Sequence, residues 1–219
     1  MANKTILICN ARSGSQLLIN GIRASDCNVA PGSAEIFCGF VPGMSFPVFS
    51  EGLVDEICPV DYWSNRSSID HIEYAFDRCD LFKLLYHHVS DKLRKDLAEY
   101  RIIHLKRKRL LCQYVSGICA EKIGWGCDNR FNGRVHIDVE KFLNHIKYYL
   151  NEWSKYDCFA KRLELFYEDG IEHNLALACE FIGVDCPEYS PSTIKVVDPD
   201  LSNVIENYEE LREYDIYYS

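Results

Sequence analysis

Short apolar runs without polar alternation are interleaved along the chain with longer stretches whose apolar positions recur every three or four residues. That pattern predicts buried strands alternating with amphipathic helices. The first run, Thr5-Ile6-Leu7-Ile8, breaks at Asn10-Ala11-Arg12-Ser13-Gly14-Ser15 and resumes as Gln16-Leu17-Leu18-Ile19. Strand, tight turn and a helix to about Ser25 are predicted there. From Ser68 to Cys79, Ile69, Ile72, Ala75 and Phe76 keep helical spacing; Leu81 to Tyr86 reads as a second strand and Asp91 to Tyr100 as a short charged helix. A third strand, Arg101 to Leu105, runs into the basic turn Lys106-Arg107-Lys108-Arg109 and then a helix carrying Leu110, Leu111, Tyr114, Val115, Ile118 and Cys119. The longest helix is predicted over Asp138 to Tyr156, a fourth strand over Leu163 to Tyr167, and a helix from Asn174 to Ile182 that Gly183 stops.

Two stretches interrupt the rhythm. Residues 28–68 are rich in Gly, Pro and aromatics, and residues 124–136 in Gly, Asn, Asp and aromatics, with Asn132-Gly133 as a hairpin-type turn signal. Both read as loops or insertions on the ligand side, and Trp125 offers an aromatic platform there. The 186–219 segment is polar and acidic, with one helix expected around Val204 to Tyr214. The expectation is a single α/β domain over 1–219: a parallel, P-loop-like sheet of four to five strands flanked by helices, its ligand crevice at the C-terminal strand ends.

Composition narrows the function. With 219 residues and 47% hydrophobic content the chain can build one sizeable core. A net charge of −9 argues against general nucleic-acid binding, so any anion site is local. No signal-peptide pattern and no membrane-length apolar run occurs, which predicts a cytoplasmic protein without membrane insertion. The eleven cysteines are odd in number, scattered and free of any C-x-x-C pair, so they are expected reduced and mostly buried. The spacing of Cys119, Cys127 and His136 matches no zinc motif, and no metal site is expected.

The first turn has the parts of an anion cradle. A helix start presents unbonded N–H groups, Arg12 brings a guanidinium, and Ser13 and Ser15 bring hydroxyls. It is not a Walker A loop, since no Lys-Ser/Thr pair follows its single glycine. The alternative is an ordinary turn in which Ser13 caps the helix and Arg12 is solvated. Arg107 closes the third strand, and Ser116 lies nine positions on, in the following helix, where the two can converge on a second anion.

Four blocks together resemble the sulfotransferases that use 3'-phosphoadenosine-5'-phosphosulfate (PAPS), most closely the bacterial carbohydrate branch. Asn10 to Leu18 is similar to that branch's 5'-phosphosulfate loop, with Gln16 in place of the usual Thr. His104-Leu105-Lys106-Arg107 through Ser116 resembles its 3'-phosphate site, Phe82-Lys83-Leu84 the strand that supplies a lysine, and Leu165 to Asp169 with Phe181-Ile182-Gly183-Val184 its late strand and helix end. The resemblance implies a sulfotransferase fold and sulfuryl transfer from PAPS to a hydroxyl of a carbohydrate, lipid or small acceptor, with the bisphosphate PAP as product and no metal. It implies that Arg12 and Lys83 stabilise the leaving oxygen, that Ser13, Gly14, Ser15, Gln16 and Leu17 hold the 5'-phosphate, and that Arg107 and Ser116 hold the 3'-phosphate. Lys195 resembles the residue that closes over that group. Glu35 is the implied general base, and His87, sharing strand parity with Lys83, is the second candidate. A metal-dependent P-loop kinase and a non-catalytic nucleotide-binding module are the alternatives. The kinase lacks its lysine and a strand-end aspartate for magnesium.

Overall fold

The computed structural model describes residues 4–30, 69–123, 130–189 and 197–218. Within them four strands, β1 (Thr5–Cys9), β2 (Leu81–Leu85), β3 (Arg101–Lys106) and β4 (Arg162–Phe166), form one all-parallel sheet in the order β2-β1-β3-β4. The fold is α/β, as the alternating pattern predicts. Every residue of β1 and β2 is buried, which is why those runs carry no polar alternation, and β4 is only partly covered. Each fully covered Leu or Ile contributes ~1.5–3 kcal/mol relative to exposure.

The helices are α1 (Ser15–Arg23), α2 (Ile69–Phe76), α3 (Asp91–Asp96), α4 (Leu110–Ile123), α5 (Val139–Ser154), α6 (Ile171–Ile182) and α7 (Tyr208–Leu211). Local chemistry sets several of their ends. Asp138 caps α5 by accepting from Lys141 N, and Gly183, left-handed at φ 86°, ends α6 while Cys179 O accepts from Gly183 N and Val184 N. The helix expected over 204–214 is instead α7 between two 3-10 turns, 201–203 and 212–214. The Asn132-Gly133 signal does not produce a hairpin among the described residues. Val135 forms a parallel bridge with Ile205 of the C-terminal segment instead.

Crossovers of the right-handed kind that parallel strands almost always use would put α1 and α2 on one face of the sheet and α3, α4 and α5 on the other. The packing agrees, α1 lying against α6 and α4 against α5. The chain leaves β1 toward one edge and β3 toward the other, so the topological switch point falls between these two strands. Among the described residues no helix is long and apolar enough to cross a membrane. Eight described cysteines are free, six of them buried.

Candidate functional site

The turns that follow β1 and β3 flank the switch point. In the first, Arg12 (φ 61°) and Gly14 (φ 84°) are both left-handed. Such a conformation costs a non-glycine residue ~1–2 kcal/mol, so something must hold Arg12 there. The carbonyls do so: Ala11 O accepts from Gln113 Nε2 at 2.9 Å and Arg12 O from Arg107 Nη1 at 2.8 Å. With its oxygens tied toward β3 and α4, the turn leaves the start of α1 open. Gly14 is the N-cap residue and no side chain caps the helix. Ser13 therefore does not play the capping role of an ordinary turn. Its hydroxyl is buried, with the residue 1% exposed, and has no hydrogen-bond partner. An unmet buried hydroxyl costs ~1–3 kcal/mol, and an incoming acceptor would recover it.

Around this turn the structure assembles most of the residues picked from the sequence. Arg12 Nε donates to Ser116 Oγ at 3.1 Å, bridging the first turn and α4. Lys83, on β2 beside Leu7 and only 4% exposed, points its Nζ at Ser15 Oγ, 3.4 Å away at the start of α1. Gln16 turns its amide along the helix to Asn20 Oδ1, at 2.8 Å. Leu17 and Gly14 line a cavity of about 20 Å³ with Tyr167 and Asn174.

The second turn is different in character. Each of its four bases faces a carboxylate: Lys106 faces Glu164, Arg107 faces Glu168 at 3.6 Å, Lys108 faces Asp169 at 3.1 Å, and Arg109 faces Asp215 at 2.8 Å. Arg107 is directed inward, its second terminal nitrogen meeting Cys112 Sγ at 3.0 Å and its carbon lying 4.6 Å from the centre of the Tyr167 ring. Glu168 caps the approach to α4 by accepting from Lys108 N at 2.8 Å and Arg109 N at 3.1 Å. Sequence reasoning missed Gln113, Tyr167, Glu168 and Asp215 as site-building residues. The position of Tyr167 and Glu168, immediately after β4, is the same strand-end criterion that singled out Arg12 and Arg107.

His87 does not inherit the strand parity of Lys83. Residues 86–88 form a 3-10 turn in which His88 Nδ1 accepts from Leu85 N at 3.1 Å, and the exposed His87 ring lies 4.3 Å from that of His88. Another imidazole sits below: His104 bonds the Tyr86 hydroxyl at 2.8 Å, and burial, then Lys106 and Arg162, hold it well below the usual histidine range. Glu35, Trp125 and Lys195 lie outside the described residues. A further cavity of about 440 Å³ lies between 130–133 and 197–204, and its wall residue Pro199 accepts from Arg109 Nη1 at 3.2 Å.

No family model, no curated protein and no solved structure matches the chain.

Proposed function

We propose that the chain is a PAPS-dependent sulfotransferase acting on a hydroxyl of a carbohydrate, lipid or small-molecule acceptor. The observation that carries this reading is the 3.1 Å contact between Arg12, on the turn after β1, and Ser116, on α4, beside the buried and unpaired Ser13 hydroxyl. Donors from the turn after β1, the start of α1 and α4 thus converge at the switch point, which suits an anionic nucleotide held there.

In this reading PAPS supplies an activated sulfuryl group whose leaving oxygen belongs to its 5'-phosphate. Arg12 and Lys83 place positive charge beside that oxygen, and Ser13, Gly14 and Ser15 fix the phosphate through N–H and hydroxyl donors. Gln16 contributes a backbone donor, Leu17 lines the pocket beside Gly14, and Ser116 holds the 3'-phosphate with Lys195 while Arg107 ties the two turns together. Glu35 takes the proton from the acceptor hydroxyl, a step typically worth ~100- to 10,000-fold. His87 is the alternative base. With alignment and cationic side chains supplying the stabilisation, the reaction requires no metal.

Differential scanning fluorimetry tests the donor. Adenosine 3',5'-bisphosphate should raise the melting temperature at concentrations where Mg-ATP does not, since a ligand that binds only the native state stabilises it by mass action. A larger shift with Mg-ATP would replace this reading with a kinase. Transfer from labelled PAPS to pooled acceptors tests the activity. Glu35→Gln should lower turnover at least 100-fold with bisphosphate binding retained, and full turnover in that variant would move the base to His87.

A further inference from the structure

We infer that the turn Tyr167-Glu168-Asp169 is the spacer that sets the gap between the two anion-binding turns, with Glu168 the positioning residue for two-point recognition of a bisphosphate. This rests on the reading above. Three consecutive side chains leave the end of β4 and touch both turns. The Tyr167 ring lies against Gly14 so closely that a Cβ on that glycine would come within 2.2 Å of its Cδ2, and the same ring carries Arg107 at 4.6 Å. Glu168 uses both oxygens on the second turn, binding Lys108 N and Arg109 N, while Oε1 stands 3.6 Å from Arg107 Nε. Asp169 adds an ion pair to Lys108 at 3.1 Å.

Arg107 is consequently a tie between the turns. One terminal nitrogen is engaged by Arg12 O and the other by Cys112, and its side chain is 13% exposed. The ring fixes how closely the first turn approaches, and the carboxylate fixes where the second turn and its arginine stand. The spacing between Gly14, at the start of α1, and the second turn, and with it the separation of anions the site accepts, follows from both.

Glu168→Gln separates this role from direct anion capture by Arg107. The amide keeps the shape but loses the charge and one of two acceptors, leaving a backbone N–H of the second turn unpaired. If Arg107 gripped a phosphate directly, the carboxylate would compete with it and its removal would tighten binding. The spacer role predicts the opposite. Titration calorimetry on the full chain compares adenosine 3',5'-bisphosphate, which spans both turns, with adenosine 5'-monophosphate, which engages one. In Glu168→Gln the bisphosphate Kd should rise at least tenfold while the monophosphate Kd stays within twofold. Tyr167→Ala should reproduce that selective loss, and Tyr167→Phe, which keeps the ring on Gly14 and Arg107, should bind as the parent does. Equal weakening of both ligands, no change in either, or tighter bisphosphate binding would overturn the spacer. A parent protein that binds no bisphosphate overturns the sulfotransferase reading as well, whereas a parent that binds and a variant that binds equally overturns the spacer alone. The Tyr167 pair keeps the test decisive if Glu168→Gln fails to fold.

Discussion

At the scale of single residues, the buried titratable groups make the protein acid-sensitive in a definite window. His145 lies between the rings of Tyr114 and Tyr149, with centroids at 4.6 and 4.2 Å, and its Nε2 is buried without a partner. Burial pushes its pKa down to about 4, and His104 is displaced in the same direction. A histidine whose folded pKa is depressed binds its proton first in the unfolded chain, so the unfolded state holds more protons between the two values. Stability is therefore complete above the unfolded value of ~6.5 and is lost as pH falls toward 4. His145→Phe places a ring of similar size in the same aromatic slot without a titrating nitrogen. Its melting temperature should fall less steeply than the parent's between pH 6.5 and 4, read by scanning calorimetry in matched buffers. Parallel curves would mean that His145 is not a source of the sensitivity.

At the scale of elements, the C-terminal segment is a strap that meets the second turn through one ion pair and two contacts to backbone oxygens. Val135 N donates to Val204 O at 2.8 Å, Glu206 N to Val135 O at 2.9 Å, and Asn207 bonds both polar backbone atoms of Ile137, at 3.0 and 2.9 Å. Farther on, both oxygens of Asp215 accept from Arg109 Nη2 at 2.8 Å, Oδ1 also from Arg109 Nε and Oδ2 from the Tyr208 hydroxyl, each at 3.1 Å, and Tyr218 N donates to Lys108 O at 3.0 Å. The Arg109 and Asp215 side chains are 20% and 10% exposed, so deleting the carboxylate leaves a half-buried guanidinium unmatched. Asp215→Ala should cost about 1–3 kcal/mol in urea unfolding. Limited proteolysis should cut the variant earlier within 197–218. An unchanged midpoint and unchanged cleavage would show that the strap is held without the pair. None of this was legible in the sequence, because Arg109 and Asp215 lie 106 positions apart and their pairing leaves no periodic trace. The strands and the helices between them were legible because burial on both sheet faces or on one helix face imprints a local pattern. The short 3-10 pieces of the strap carry no such pattern, which is why a single helix was expected where α7 stands alone.

At the scale of the molecule, the strand order explains why two turns 95 positions apart in sequence meet, as Arg107 and Arg12 do. Parallel crossovers toward opposite edges leave a crevice between β1 and β3, and turns at those two strand ends have to line it. The basic character of both turns was visible in the sequence, but the matching of the second by carboxylates from β4, its following turn and the strap was not. That matching decides how the molecule meets polyanions. Four adjacent bases on a protein of net charge −9 would by themselves make a local positive patch. Here Glu164, Glu168, Asp169 and Asp215 neutralise them one for one, and the guanidinium of Arg107 faces inward. Phosphate binding by nucleic-acid partners draws on released counterions, about one for each unpaired base that contacts the backbone, and this surface provides few such bases. Fluorescence anisotropy with a labelled duplex of about 20 base pairs should therefore show no binding at micromolar protein, even at ~20 mM salt where such contacts are strongest. Asp169→Asn leaves the partly exposed Lys108 without its carboxylate and should introduce weak, salt-sensitive binding. Tight binding by the parent, with the salt slope of several phosphate contacts, would mean that the four ion pairs open in solution and that the second turn is an outward-facing basic surface.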